Sequence, residues 1–367
     1  MLRDLTYFTE CLFKNQEQVN FDYVDIDEQI VNRFNHIRRK FVKTAFNNGL
    51  IDYDNVLDIY NKWRNDDEYI VLRGIEQFKQ KTLDGSIQSK IGNYVYRFIK
   101  ASKRGNDVYR YIIKKKFKQI EEIDTLEFFR DDFKRKKTKL LFITLTFDTK
   151  ECKPIESWYK IPILFNRFKA NLTKKYGKIS TFRVWESTQK YYAHIHCLIY
   201  FKDYEFEVFK HINKKGQTSY RIPYYQVSKI KEYYPYDIDI QACESFNKAI
   251  QEITKYVGKY LIKESVDDKP TKTNAMIWLT NKQGYSLSKG FFKEIIGKEL
   301  DVSEPKSADL TNYMCNSNFN VEVWEYVGII SSKEIGISGN IWFFEAKHPP
   351  PKAMEKINIL ISEKLSR

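Results

Sequence analysis

The chain of 367 residues has five cysteines (Cys11, Cys152, Cys197, Cys243, Cys315), all scattered, and no CxxC pair. That excludes a zinc knuckle and a disulfide framework. A GxxxxGK[ST] loop is also missing, so a Walker-type ATPase or helicase motor is not expected, and if the chain works on DNA any unwinding motor must come from a partner. No stretch approaches a membrane span, and the opening residues MLRDLTYFTECLFKNQEQ lack the long apolar centre of a secretory signal. These absences set the expectation of a cytoplasmic protein without a membrane partner. Internal repeats and low-complexity tracts are absent too, and histidine is scarce at five residues.

What is present is basic and aromatic. A formal charge of +14 favours a polyanionic partner, which for a soluble protein usually means nucleic acid. There are 26 Tyr, 26 Phe and 6 Trp; many must fill the core, but rings beside Lys and Arg also suit unstacked bases. An AT-rich genome enriches the same residue types without any functional demand, so composition alone leaves both accounts open.

Periodicity divides the chain into three regions. Residues 1–138 read as mainly helical and basic, with Ile30, Phe34, Ile37, Phe41 and Ala45 at helical spacing. Further helical patterns lie near 53–64, 67–81 and 107–120. The runs Lys114-Lys115-Lys116 and Lys134-Arg135-Lys136-Lys137 are solvated faces or contacts to a polyanion. Residues 139–264 alternate strands with helices: Leu140 to Phe147 is β-prone, 161–176 is helical, 181–187 and 191–201 form a hairpin, and 244–264 is a helix. Residues 203–240, rich in tyrosine, read as irregular with a strand or two. Residues 265–367 form a C-terminal accessory region with strand-like pieces at 275–279, 320–330 and 339–345 and a final helix from about 351. The fold class is therefore α+β, a central antiparallel sheet flanked by helices, with a mainly helical N-terminal extension and a small mixed C-terminal region.

Two histidines, His194 and His196, lie one residue apart in the strand-like run 193–201. Strand side chains alternate faces, so both imidazoles point the same way. Ala193, Ile195, Cys197, Ile199 and Phe201 form the opposite, apolar face, which places the histidines on an open side of the sheet. If the hairpin centres near Lys190, Glu186 on the preceding strand stands opposite His194 and emerges on the same face. Such a His-His-Glu set, with positions left for phosphate oxygens, suits Mg²⁺ or Mn²⁺. The competing account is a pair of satisfied structural histidines beside an ordinary glutamate. A cupin-type iron site also uses HxH, but Glu205 and His211 are poorly spaced for it.

Along 244–264, Ile250, Ile253, Val257 and Leu261 form one helical stripe, and Tyr256, Lys259, Tyr260 and Lys263 a second, about 115° round. A phenol with a pKa of about 10 is roughly 0.1% ionised at pH 7. A lysine or metal beside it favours the phenolate and so activates it as a nucleophile. Attack on a phosphodiester would leave a 5′-phosphotyrosine and a free 3′-OH. Taken alone, this pattern is also that of an ordinary amphipathic border in a chain rich in Tyr and Lys.

Together these residues resemble the HUH endonucleases, in particular the rolling-circle replication initiators of plasmid or viral type. Phe142-Ile-Thr-Leu-Thr-Phe147 is similar to that family's first motif and His194-Ile-His196 to the HUH motif, with Glu186 matching a carboxylate ligand ahead of it. Tyr256-Val-Gly-Lys259-Tyr260-Leu-Ile-Lys263 is similar to the two-tyrosine form of the third motif. The resemblance covers 139–264 and implies an antiparallel sheet with a metal on one face. It also implies nicking of single-stranded or cruciform origin DNA by one tyrosine, rejoining by the other, and reliance on a separate helicase and host replication proteins. A two-tyrosine transposase shares the chemistry, and a non-catalytic DNA-binding protein with structural histidines is the alternative from another class.

Overall fold

A computed structural model describes residues 45–81, 87–121, 130–132, 135–212, 216, 218–257, 268–302, 319–336 and 341–365 of the chain. In chain order the elements are α1 (Val56–Asn65), β1 (Glu68–Lys81), β2 (Ile87–Lys100), α2 (Asp107–Glu121), β3 (Arg130–Asp132), β4 (Arg135–Thr138) and β5 (Leu140–Leu145). They continue with α3 (Pro154–Tyr176), β6 (Ile179–Ser187), β7 (Ala193–Phe201), β8 (Phe206–Ile212), β9 (Thr218–Arg221), α4 (Tyr224–Lys231), β10 (Ile238–Ala242) and α5 (Phe246–Val257). The last are α6 (Asp268–Thr280), β11 (Tyr285–Leu287), α7 (Phe291–Ile296), β12 (Val321–Ser331), α8 (Ser332–Ile335), β13 (Phe343–Ala346) and α9 (Pro351–Leu365). The chain divides into two compact units, one of residues 1–52, 58–109 and 305–367, the other of 53–57 and 110–304. The α+β class expected from the sequence, antiparallel sheets flanked by helices, is what the structure shows.

The first unit is built on an antiparallel sheet of order β12-β1-β2-β13. Tyr69, Val71, Tyr96, Phe98, Val327 and Ile330 form its core with Ala353 and Ile357 of α9. Phe98 stacks on Phe344 at 4.3 Å. Residues 67–81, expected as a helix, are strand β1 instead. Ile70 and Leu72 are buried as well as Tyr69 and Val71, so apolar residues occupy both faces and the period-2 alternation that marks a half-buried strand is erased. The helix expected from Ile30 lies mostly outside the described residues.

The second unit has a five-stranded antiparallel sheet of order β10-β5-β7-β6-β11 and a four-stranded sheet of order β3-β4-β8-β9. Strand β7 is the middle strand, with β5 on one side and β6 on the other, and the β-prone run from Leu140 forms the interior strand β5 between β10 and β7. Helix α3 covers the face of Ile195 and Trp185, with Trp158 stacked on Trp185 at 5.5 Å and Phe165 under the Arg183 guanidinium at 4.9 Å. On the other face, Phe182 meets Phe117 of α2 at 6.4 Å and Phe291 of α7 at 5.9 Å. Phe291 in turn packs on Phe246, the first residue of α5. That second face carries the histidines, so it is not the open side the alternation implied. Leu198 and Phe182 on it are fully buried, because helices α2, α5 and α7 supply apolar rings to cover it.

The segment 275–279, expected as a strand, lies inside helix α6. Ala275, Met276, Ile277, Trp278 and Leu279 are all buried, and a short apolar run with every position covered has no periodicity to distinguish strand from helix. Residues 203–240 resolve into β8, β9, α4 and β10.

Candidate metal centre

The β6–β7 hairpin has the register that the sequence implies: Glu186 pairs with His194, and Ser187 with Ala193 closes the ladder. Its turn is held by local and tertiary bonds. The Thr188 amide donates to the Tyr192 carbonyl at 2.8 Å and the Tyr191 amide donates back to the Thr188 carbonyl at 3.0 Å. Tyr191 adopts φ 66°, a left-handed conformation that is uncommon for a side chain of its size. Helix α3 clamps this turn, for the Trp158 indole donates to the Tyr191 carbonyl at 2.8 Å and the Ala193 amide donates to Ser157 Oγ at 2.9 Å. The histidine strand is thereby fixed at its first residue.

The three donors converge. One ligand atom each from Glu186, His194 and His196 lies within 4.8 Å of the others. His196 Nε2 and Glu186 Oε2 are 2.6 Å apart, and the two imidazole centroids are 5.4 Å apart. Glu186 is 3% and His196 5% exposed, while His194 is half-buried and gives the cluster its solvent side. Donors sharing one ion at about 2.1 Å are at most about 4.2 Å apart, so this set fits a divalent cation with small side-chain adjustments. Two imidazoles and a carboxylate are a borderline-to-hard donor set, suited to first-row divalent ions.

Strand β5 completes the pocket with Phe142 and Thr144, which lie in the segment similar to the family's first motif but were not expected to touch the histidines. Thr144 is the register partner of His196, and its Oγ1 lies 3.1 Å from His196 Nδ1. Phe142, two residues earlier on the same face, stacks on the His196 ring with centroids 5.9 Å apart. A hydroxyl both donates and accepts, so Thr144 serves either tautomer of His196, including the one that turns the Nε2 lone pair toward Glu186 and His194. The alternation of Phe142 and Thr144 along β5 is visible in sequence, but the strand pairing that sets them against His196 is not.

Two tyrosines in the loops around the hairpin turn, Tyr236 and Tyr53, have raised pKa values. Tyr236 donates to Glu151 Oε2 at 2.6 Å, and that carboxylate pushes its phenol up to about 12. Burial raises Tyr53, whose Oη accepts from the Ile155 amide at 2.8 Å. Tyr192 Oη donates to the carbonyls of Thr149 and Cys152. Tyr236 and Tyr53 are thus not primed for attack.

Of the expected nucleophile stripe, Tyr256 falls in the last turn of α5, whose Ile250, Ile253 and Val257 are buried as an inward-packing stripe requires. Lys259, Tyr260 and Lys263 lie outside the described residues. Among those described, no helix is long and apolar enough to cross a membrane.

No curated protein and no solved structure matches the chain. Residues 140–265 match the model of a family described as replication-associated protein ORF2, a segment that contains Glu186, His194, His196 and Tyr256 through Lys263, and this similarity supports a role in the initiation of replication.

Proposed function

We propose that this protein is a rolling-circle replication initiator of the HUH type that nicks one DNA strand at an origin and later rejoins it. The observation that carries the reading is the Glu186, His194 and His196 cluster on one hairpin, inside the segment similar to replication-associated proteins. The cluster would hold Mg²⁺ or Mn²⁺, which supplies positive charge against the oxygens of a phosphodiester. Thr144 holds the His196 ring in place, and α3 holds the turn.

Chain connectivity supports a tyrosine nucleophile from the segment Tyr256 to Lys263. Cys243, just before α5, donates its amide to the Leu140 carbonyl, and Leu140 pairs with Tyr200 at the end of β7 remote from the histidines. Thr273 in α6 accepts the Ser187 amide at 2.9 Å, next to Glu186. The chain from Cys243 to Thr273 therefore passes from the far end of the sheet to the metal end. Helix α5 covers β6 and β7 on the way; its twelve residues span about 18 Å.

In the reaction, Tyr256 or Tyr260 Oη bonds to phosphorus as the bond from phosphorus to the 3′-oxygen breaks. The phenol proton is lost and the leaving oxygen gains one, leaving a 5′-phosphotyrosine and a free 3′-OH. Lys259 and Lys263 favour the phenolate. The second tyrosine then attacks the regenerated site to end the round. The substrate is single-stranded or cruciform origin DNA, and duplex unwinding falls to a separate helicase with host replication proteins. The test is incubation with labelled origin-strand oligonucleotides and Mn²⁺, with adducts resolved on a denaturing gel. The wild-type protein forms a covalent adduct; His194→Ala and the double variant Tyr256→Phe/Tyr260→Phe do not. Full adduct in the tyrosine double variant removes the assigned nucleophiles, and undiminished nicking by His194→Ala removes the metal centre.

A further inference from the structure

The opposite face of the main sheet carries a cluster of cations. Arg183 lies three residues before Glu186 on β6 and is the register partner of Cys197. Its Nε donates to Ser286 Oγ on β11 at 2.7 Å, and its guanidinium rests over the rings of Phe165 and Trp185. Lys169 of α3 donates to Ser288 Oγ at 3.3 Å, and the same oxygen accepts the Thr181 amide at 3.0 Å. Lys282 reaches over the Tyr159 ring at 5.4 Å. Arg183, Lys169, Lys282, Ser286 and Ser288 are all half-buried, so solvent reaches them.

Among the described residues no carboxylate pairs with Arg183 or Lys169, and no acceptor meets the two terminal nitrogens of Arg183. Cys197 does not supply the missing charge, because complete burial pushes its thiol up to about 12 and keeps it neutral. Burial lowers the Arg183 pKa, and burial together with the Arg183 charge lowers that of Lys282. A guanidinium taken from water needs paired charge or full hydrogen bonding to offset desolvation. The two ring contacts contribute only about 0.5–2 kcal/mol each.

We propose that Arg183, Lys169 and Lys282, with the hydroxyls of Ser286 and Ser288, form a binding site for a phosphate oxyanion. The guanidinium fork presents its terminal donors to two oxygens of one phosphate. The ammonium groups and hydroxyls meet the others. Because this face lies across the sheet from Glu186 and His196, the site is separate from the metal centre. The phosphate comes either from a nucleic-acid backbone or from free phosphate.

The full-length protein in EDTA, which keeps DNA intact, tests this against Arg183→Gln and Lys169→Gln. Inorganic phosphate, titrated at constant ionic strength with chloride, raises the Tm of the wild type and leaves the variants unmoved. A fluorescent single-stranded oligonucleotide separates the sources. If its backbone occupies the site, each variant loses one phosphate contact, and the slope of log affinity against log salt falls by about 0.7. The wild-type advantage then shrinks about 2.6-fold between 50 and 200 mM salt. Lost phosphate protection with an unchanged slope keeps the site and assigns it to free phosphate. Equal phosphate response and equal slope in wild type and variants overturn it. Lys169→Gln keeps the comparison readable should Arg183→Gln fail to fold. Neither readout uses nicking, so failure of the initiator reading would register in the adduct assay alone.

Discussion

Replacing Thr144 by Val tests whether β5 is part of the metal centre or merely its neighbour. Valine keeps the β-branched shape that suits a strand and deletes only the hydroxyl 3.1 Å from His196 Nδ1. His196 is 5% exposed, so little room remains for water to replace that partner. A buried ring nitrogen without its partner costs about 1–3 kcal/mol. Loss of such an outer partner typically weakens metal binding 10–100-fold, or about 1.4–2.7 kcal/mol. The two magnitudes agree, and the expected result is a Mn²⁺ affinity of Thr144→Val reduced by one to two decades in isothermal titration. Thr144→Ser retains the hydroxyl and should bind within about threefold of wild type. Equal affinity for Thr144→Val and wild type, with native folding by circular dichroism, refutes the positioning role. Equal loss in the Ser and Val variants points to packing, not the hydroxyl.

Two further expectations concern the second unit more broadly. Burial pushes the thiols of both Cys197 and Cys243 up to about 12, so peptide mapping after iodoacetamide at pH 8 should find both unlabelled in the native protein and labelled in denaturant. Labelling of native Cys197 would show that the sheet opens far more readily than its packing implies. Hydrogen bonds from Lys178 and then Ser180 hold the Glu294 carboxyl below its usual range. A depressed carboxylate stabilises the fold above its unfolded pKa and loses that contribution as pH falls through the folded value. Acid unfolding followed by circular dichroism should therefore be shallower below about pH 4.5 in Glu294→Gln, and an unchanged acid limb would count against the Lys178 and Ser180 contacts.

Legibility in the sequence followed the range of the interactions. Helix α3 was readable because its apolar residues keep one period along one buried stripe, and hairpin β6–β7 because two β-prone runs flank a short polar turn, although both of its faces are buried. Strand β1 and helix α6 were misread because Ile70 to Leu72 and Ala275 to Leu279 are buried all round, and complete burial removes the period. The open side expected for His194 and His196 failed for a related reason. The residues that cover it, Phe117, Phe246 and Phe291, come from three helices distant in sequence.

The donor set was already contained in the local chain. Alternation along a strand fixes His194 and His196 on one face, and a hairpin centred near Lys190 fixes Glu186 opposite them. Those are consequences of backbone geometry over a dozen residues, and no distant contact is needed to state them. Folding of the whole sheet was required to set Thr144 against His196 and to gather Lys169, Lys282 and Ser286 near Arg183. Such neighbours are brought together by strand order and helix packing, which depend on the burial of many residues at once and leave no local trace in the chain.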